Sequence, residues 1–389
     1  MPLASYNYNQ YDVTESTGTG LPMMIREQLD DYRRRMDKKL STESMMVKSS
    51  SERTSEHLHV DTAVSTYEYK DGSGVPSQTE GLPFGIPRSS ILAKIGETPV
   101  VEIEPDIHLK LEGFNPSGSI KDRPVLNMIL DMFRTGQLKC GSTLALITSG
   151  SAGVSLAAIQ RALEEDCGVK IRTVIIMPKS YRHKAAYQKL VENGVETFHD
   201  RADPEAVSQI LLLEGSFMEV MAAGQTLASE NGYQTLDQHY DQNSMLAHES
   251  TALEILRQIP DVTDVVCATG SGATAAGLRR FLPVDVKVHA RASQAGAIDG
   301  LSDIRRYDNF CNENLLEDYR LGMFEPEMAR THQLSLLESH GLDCGLSTGA
   351  TLGLAREVKA ANPTAKVACI SACGRPYDGD QAPPDQSTV

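Results

Sequence analysis

The chain has 389 residues, 40% of them apolar and 23% charged, with a net charge of −15. That length and composition predict a soluble globular protein of two domains. No stretch approaches the roughly 20 apolar residues of a membrane span. The excess of 52 acidic over 37 basic residues argues against nucleic acid or an acidic membrane as partner.

The first twenty residues lack a basic start and an apolar core, and they contain Asp12, Glu15 and no Arg. Neither a secretory signal nor a mitochondrial transit peptide is expected. The seven cysteines (140, 167, 267, 311, 344, 369, 373) are odd in number and scattered, with no Cys-x-x-Cys pair. They predict reduced thiols, a cytoplasmic location and no metal site.

Residues 1–85 differ from the rest. Positions 41–80 hold nine Ser and five Thr with few large apolar residues. Such a segment buries too little surface to offset its chain entropy and reads as disordered. Within it, Ile25, Leu29, Tyr32, Met36 and Leu40 recur at helical spacing over 21–40. That island reads either as an arm docking on the core or a second subunit, or as a marginal solvated helix.

Order is expected from about Leu82. Strands are predicted at Leu144–Ile147, Thr173–Met177, Val265–Cys267, Val286–His289 and Val367–Ile370. Helices are predicted at Val154–Leu163, Ala185–Glu192, Ala275–Phe281 and Leu352–Ala360. Strands alternating with helices imply α/β architecture with mostly parallel sheets covered on both faces. Two such α/β/α domains are expected, at 86–235 and 236–380, followed by a tail at 381–389.

Three small-residue loops each follow an apolar strand and open a helix: Thr148–Gly153, Thr269–Thr274 and Ser347–Ala350. A helix start has N–H groups without intrahelical partners and a partial positive charge, and glycines admit an anion close to them. Together the loops suit a small ligand with more than one anionic group. No Lys-Ser or Lys-Thr follows Gly270, and Gly270, Gly272 and Gly277 do not fit G-x-G-x-x-G. A P-loop and a dinucleotide fingerprint are thereby excluded, and a phosphomonoester cup remains.

The segment Lys110-Leu-Glu-Gly-Phe-Asn-Pro-Ser-Gly-Ser-Ile-Lys121-Asp-Arg-Pro124 puts a lysine at a helix start. The helix dipole disfavours a cation there. A neutral or carbonyl-linked lysine escapes that penalty.

This segment resembles the lysine segment of the fold-type II pyridoxal-phosphate enzymes, closest to the cysteine synthase and cystathionine β-synthase branch. The resemblance continues in order through most of residues 90–378. TSGSAG (148–153) resembles the family's Thr-Ser-Gly-Asn-Thr-Gly loop and GSGAT (270–274) its Gly-Thr-Gly-Gly-Thr phosphate cup. DQHYDQNSMLAHESTALEI resembles its Gln-Phe-x-Asn-Pro…Ala-His…Thr-Gly-x-Glu-Ile segment. LSTGA and SACGRPY resemble its Ser-Ser-Gly-Ala and Asp-Ser-Gly-Glu-Arg-Tyr.

The resemblance implies two three-layer domains and pyridoxal 5′-phosphate as cofactor. Lys121 would carry the cofactor and move protons at Cα. Gly270, Ser271, Gly272, Ala273 and Thr274 would hold its phosphate. Ser151 would face its 3′ oxygen and Cys373 its pyridine nitrogen. Thr148, Ser149, Gly150, Ala152 and Gln238 would grip the substrate carboxylate.

The implied reaction is β-replacement, through an aminoacrylate, on a small amino acid with a leaving group on Cβ. Serine, O-acetylserine and O-phosphoserine are of this type; the nucleophile is unassigned. A neutral partner at the pyridine nitrogen suits elimination better than transamination. A deaminating dehydratase, and a fold that keeps the cofactor site as a binding or scaffold protein, are the alternatives. A homodimer is expected.

Four departures stand out. Ser151 replaces an Asn, Ala152 a Thr, Ala273 a cup Gly and Cys373 a Ser. The family's His-Lys-Ile-Gln-Gly-Ile-Gly loop has become Ala297–Asp303, which argues against plain cysteine synthesis from sulfide. His57 and His59 have no Cys before Cys140, so no haem site is expected. His239 and His248 read as packing or hydrogen-bonding residues, and Cys344 and Cys369 as core.

Overall fold

The computed structural model describes residues 82–293, Ile298, Leu301 and 324–376. The expected extension and its helix at 21–40, most of the 297–303 loop and the tail at 381–389 lie outside the described residues.

Two five-stranded sheets carry the fold. The first has the order β1-β2-β11-β8-β9. Its strands are β1 (Val100–Glu104), β2 (Ile107–Leu111), β8 (Asp264–Ala268), β9 (Lys287–Arg291) and β11 (Val367–Ser371). All its pairings are parallel except β1 with β2. The second has the order β5-β6-β4-β3-β7 and is wholly parallel. Its strands are β3 (Thr143–Ile147), β4 (Arg172–Pro178), β5 (Glu196–His199), β6 (Ser208–Leu213) and β7 (Gln234–Leu236). A short antiparallel pair joins β10 (Leu342–Cys344) to β12 (Gly374–Pro376).

The parallel arrangement follows from composition. In β4, Thr173 to Pro178 are all buried. A strand without a polar face needs cover on both sides, and crossover helices supply it. Helices α1 (Asp122–Arg134), α2 (Ser151–Cys167) and α3 (Ala185–Glu192) pack on one face of the second sheet. Helix α4 (Phe217–Glu230), opened by a Ser216–Glu219 capping box, covers the other. After the short α5 (Gln242–Leu246) come α6 (Glu249–Gln258) and α7 (Ala273–Phe281), which cover one face of the first sheet. Helices α8 (Pro326–His340) and α9 (Leu346–Ala361) cover its other face.

Every strand and helix expected from periodicity is present. Ala185–Glu192 matches to the residue, and the other helices begin earlier than expected, at their small-residue loops. Cys344 and Cys369 are core residues, as expected.

Sheet membership, however, cuts across the expected boundary at 235/236. Strands β1 and β2, from the 86–235 stretch, belong to the first sheet, where β2 pairs with β11 from Ile107↔Val367 to Ser371↔Leu111. The chain thus begins the first sheet, crosses to build the second and returns. Local alternation shows that a segment is a strand but not which sheet edge it completes.

Candidate active site

The lysine segment is fixed from both ends. Beyond β2 the chain makes a 3-10 turn over Glu112–Phe114, and Gly118 N–H donates to the Asn115 carbonyl at 2.8 Å. Ile120 N–H donates to Ala372 O at 2.8 Å, and Ser119 forms an antiparallel bridge with Cys373. Lys121 is therefore delivered to the start of α1 and against the chain leaving β11. Its ammonium is half-buried and has no hydrogen-bond or ion-pair partner among the described residues. Burial holds its pKa below the ordinary lysine value.

Lys121 opens into a cavity at the ends of β8 and β11, lined also by Ser119, Ser151, Thr269, Gly270, Ser271, Gly272, Thr274, Leu301, Ser347 and Cys373. Among the described lining residues, Lys121 is the sole ionisable group apart from the Cys373 thiol. The loop after β8, also in the lining, opens α7. Gly272 takes φ +86°, a left-handed conformation natural to glycine. The turn brings Thr274, in the first turn of α7, to the cavity. Thr274 Oγ1 lies 3.1 Å from His248 Nε2, and His248 Nδ1 lies 3.2 Å from Thr251 Oγ1. His248 is buried, and burial, with Arg123 and Lys121 nearby, holds its pKa well below the ordinary value. It is a neutral imidazole that fixes the cup threonine, in line with the hydrogen-bonding role expected.

The third wall joins the start of α9 to the chain after β11. Cys373 is half-buried, and burial pushes its pKa up against hydrogen bonds from Gly345 N–H and Ser347. It is a neutral thiol. A Cβ on Gly345 would fall 2.5 Å from its sulfur, and one on Gly113 would fall 1.5 Å from Gly374 O. Close backbone approach at these glycines therefore sets where the thiol lies.

Of the residues expected at the site, the structure brings together Lys121, Ser151, Gly270, Ser271, Gly272, Thr274 and Cys373. Ala273 does not line the cavity. It is the buried first residue of α7 and has no positive φ, so a Cβ is accommodated there. The left-handed turn is carried by Gly272 instead.

Thr148, Ser149, Gly150, Ala152 and Gln238 also stand off this cavity. Thr148 is buried and its Oγ1 accepts from Gly150 N–H at 3.1 Å. Gly150 is packed on Ala186, Ala152 is in the core, and Gln238 is buried with its carbonyl accepting from Ser244. Ser149 is half-buried. All but Gln238 flank Ser151 at the start of α2.

Sequence reasoning did not single out Ser119, and it gave Thr269 and Ser347 only as part of helix-opening loops. The bridge that seats Ser119 beside Cys373 joins positions 254 residues apart in numbering, which no local pattern announces.

Two halves built on parallel sheets, with one unpaired lysine facing a glycine-rich helix start, define an enzyme of the lysine-and-phosphate class. A family model described as "Pyridoxal-phosphate dependent enzyme" matches residues 91–298. Cysteine synthase B of Escherichia coli (strain K12) is 30% identical over 309 residues, spanning 72% of this chain and 91% of that one. Cystathionine beta-synthase of Apis mellifera is 27% identical over 297 residues, 67% of this chain and 54% of that one. The solved cysteine synthase of Entamoeba histolytica has a TM-score of 0.63 at 21% identity, covering 82% of this chain and 91% of that one. The chain belongs to the pyridoxal-phosphate dependent enzymes, in the fold-type II family of cysteine synthase and cystathionine β-synthase.

Its cofactor is pyridoxal 5′-phosphate, and the cavity fits that group. It offers an unpartnered amine for a carbonyl carbon, a helix start with hydroxyls for a phosphate, and a neutral Ser347–Cys373 wall for a ring nitrogen.

Proposed function

We propose that the protein catalyses β-replacement on a small amino acid of the serine, O-acetylserine or O-phosphoserine type. The observation that carries this reading is the uncharged wall of Ser347 and Cys373, in the same cavity as Lys121 and the loop that opens α7. A neutral partner suits elimination and addition at Cβ, whereas transamination gains from a carboxylate.

Lys121 is the point of covalent attachment. Its depressed pKa keeps a share of the amine unprotonated, so that it can leave the cofactor and accept the proton from the substrate's Cα. Gly270, Ser271, Gly272 and Thr274 hold the phosphate, with Ala273 behind them. Ser151 faces the ring oxygen. Thr148, Ser149, Gly150 and Ala152, at the start of α2 beside Ser151, together with Gln238, receive the substrate carboxylate next to the cavity. When bound, the cofactor supplies the electron sink for loss of the Cα proton and of the Cβ leaving group.

The relatives support serine-type chemistry in particular. O-ureido-L-serine synthase of Streptomyces lavendulae is 41% identical over 80 residues, 19% of this chain and 25% of that one. Reduced thiols and the family resemblance add a cytoplasmic homodimer to the reading.

Two measurements test it. Borohydride reduction of the yellow holoenzyme should fix the cofactor on Lys121; label on another lysine, or on none, overturns the site. Incubation with serine, O-acetylserine and O-phosphoserine, each with and without thiols or amines, should yield a product that incorporates the nucleophile. Release of keto acid and ammonia regardless of nucleophile would instead make the enzyme a dehydratase.

A further inference from the structure

Next to Lys121 a path of hydrogen bonds runs to a second residue of the cavity lining, Ser151. Asp122 follows Lys121 in the chain and is 1% exposed. Its Oδ2 accepts from Ser117 N–H at 2.7 Å and its Oδ1 from the Ser117 hydroxyl. Lys189 Nζ donates to the Ser117 carbonyl at 2.7 Å. Every polar atom of Ser117 is thus engaged, and the loop 117–122 is tied off by its own last residue. This closed loop presents Lys121 to the cavity, with Ser119 and Ile120 beside it.

The path continues into α2. Ser155, buried, has its Oγ 3.0 Å from Ser117 Oγ. One helical turn earlier in α2 stands Ser151, whose carbonyl lies 3.2 Å from the same Ser155 Oγ. Ser155 has one proton and two acceptors within reach, the Ser117 hydroxyl and the Ser151 carbonyl. The Ser117 hydroxyl gives its own proton to the Asp122 carboxylate in a charge-assisted bond, which leaves its oxygen to accept from Ser155. Two Asp122 oxygens facing an N–H and a hydroxyl are what an acceptor-only carboxylate needs. Burial raises its pKa, against the bonds from Ser117 and the charge of Lys189.

We propose that Asp122 is a positioning residue. Through Ser117 and Ser155 it holds Lys121 and Ser151, both in the lining of the cavity, at a fixed separation. Nothing in the path touches the cavity except through these two ends: Asp122, Ser117 and Ser155 are absent from its lining. The inference rests on Lys121 being the residue that carries the cofactor.

The test uses the holoenzyme with Asp122→Asn, Ser155→Ala and the double variant. Asparagine keeps the size of the side chain and removes its charge; alanine removes the hydroxyl that links Ser117 to Ser151. The induced circular dichroism of the visible cofactor band reports how the cofactor is oriented, independently of turnover. Its amplitude should change by about half in each single variant, and kcat should fall about tenfold. The double variant should be no worse than the more damaged single one, because both changes cut the same path. Independent effects would multiply to about a hundredfold.

An unchanged dichroism band in both single variants, or multiplied losses in the double, overturns the proposal. Should Asp122→Asn fail to fold, Ser117→Ala with Ser155→Ala decides by the same two readouts. Borohydride labelling is run on each variant. Label on Lys121 with an unchanged band sinks this inference alone, whereas label elsewhere sinks the reading it rests on.

Discussion

Lys121 and Arg123 lie two residues apart and are treated in opposite ways. Arg123 is buried and fully engaged. Its Nε and Nη2 donate to Glu112 at 2.8 and 2.9 Å, and its Nη1 and Nη2 to Glu254 at 2.7 and 2.8 Å. Lys110 completes the cluster, donating to Glu254 at 2.5 Å, to Thr98 O at 2.6 Å and to Gln258 at 2.8 Å. Two cations face two carboxylates, all four at most 4% exposed. Burial alone would raise the pKa of Glu254, but Arg123 and Lys110 hold it well below the usual carboxylate range. Among the described residues Lys121 has no such partner. A buried charge whose every donor is used joins elements together, here β2, α1 and α6. A cation left unpaired in a cavity is destabilised as a cation and available for chemistry.

The widest break in this contrast comes from replacing each residue by methionine. Lys121→Met should cut turnover at least ~10³-fold and yet raise the Tm of the cofactor-free protein at pH 7 by about 2–4 °C. The folded pKa of Lys121 lies below the unfolded one, so the unfolded chain binds more protons in the window under 10.5 and the lysine costs stability there. The gain should therefore shrink as pH rises toward 10.5, which thermal melts at several pH values will show.

Arg123→Met should do the reverse. It leaves Glu112 and Glu254 buried with Lys110 alone, a loss of about 3–5 kcal/mol read by urea denaturation. Equal stability changes in the two variants would erase the distinction between the regions.

A smaller effect is expected at the neutral wall. Cys373→Ser should keep most activity, because a hydroxyl also accepts from Gly345 and Ser347. Cys373→Asp puts a charge into a wall built without one, and β-elimination should slow by about tenfold through a charge-assisted bond to the ring nitrogen. Stopped-flow measurement of leaving-group release compares the two. Near-wild-type rates in both would remove Cys373 from the cofactor wall and leave Ser347 there alone.

The smallest effect concerns acid. Burial first, and then the Lys121 charge, hold His239 down to about 4. Between about 4 and its ordinary value the unfolded chain binds the proton and the folded protein does not. Stability from this residue is present above about 6.5 and is lost as pH falls toward 4. His239→Gln should flatten that part of the stability curve without abolishing it, since buried His248 titrates in the same sense. Denaturant midpoints at pH 7 and 5 measure the difference.

Much of the fold was legible because parallel strands buried on both faces must be written as apolar runs. Val174-Ile175-Ile176 could be little else. Lys121 was legible because its segment is distinctive, and Gly270 to Thr274 because a cup needs small residues at a helix start. The Arg123 cluster was not legible. Its members at 110, 112, 123 and 254 come from distant stretches of the chain, and only packing turns them inward together.

The sequence by itself determined the alternation of strands and helices, the lysine, the glycine-rich helix start and the family. Each of these is set by local spacing and residue type, which a linear reading preserves. Tertiary structure alone decided that β1 and β2 complete the first sheet, that Ser119 bridges to Cys373 and that Ser155 stands between Asp122 and Ser151. These depend on which distant segments meet. That choice is made by the burial of whole faces and the satisfaction of every buried donor at once, and no window of the chain contains it.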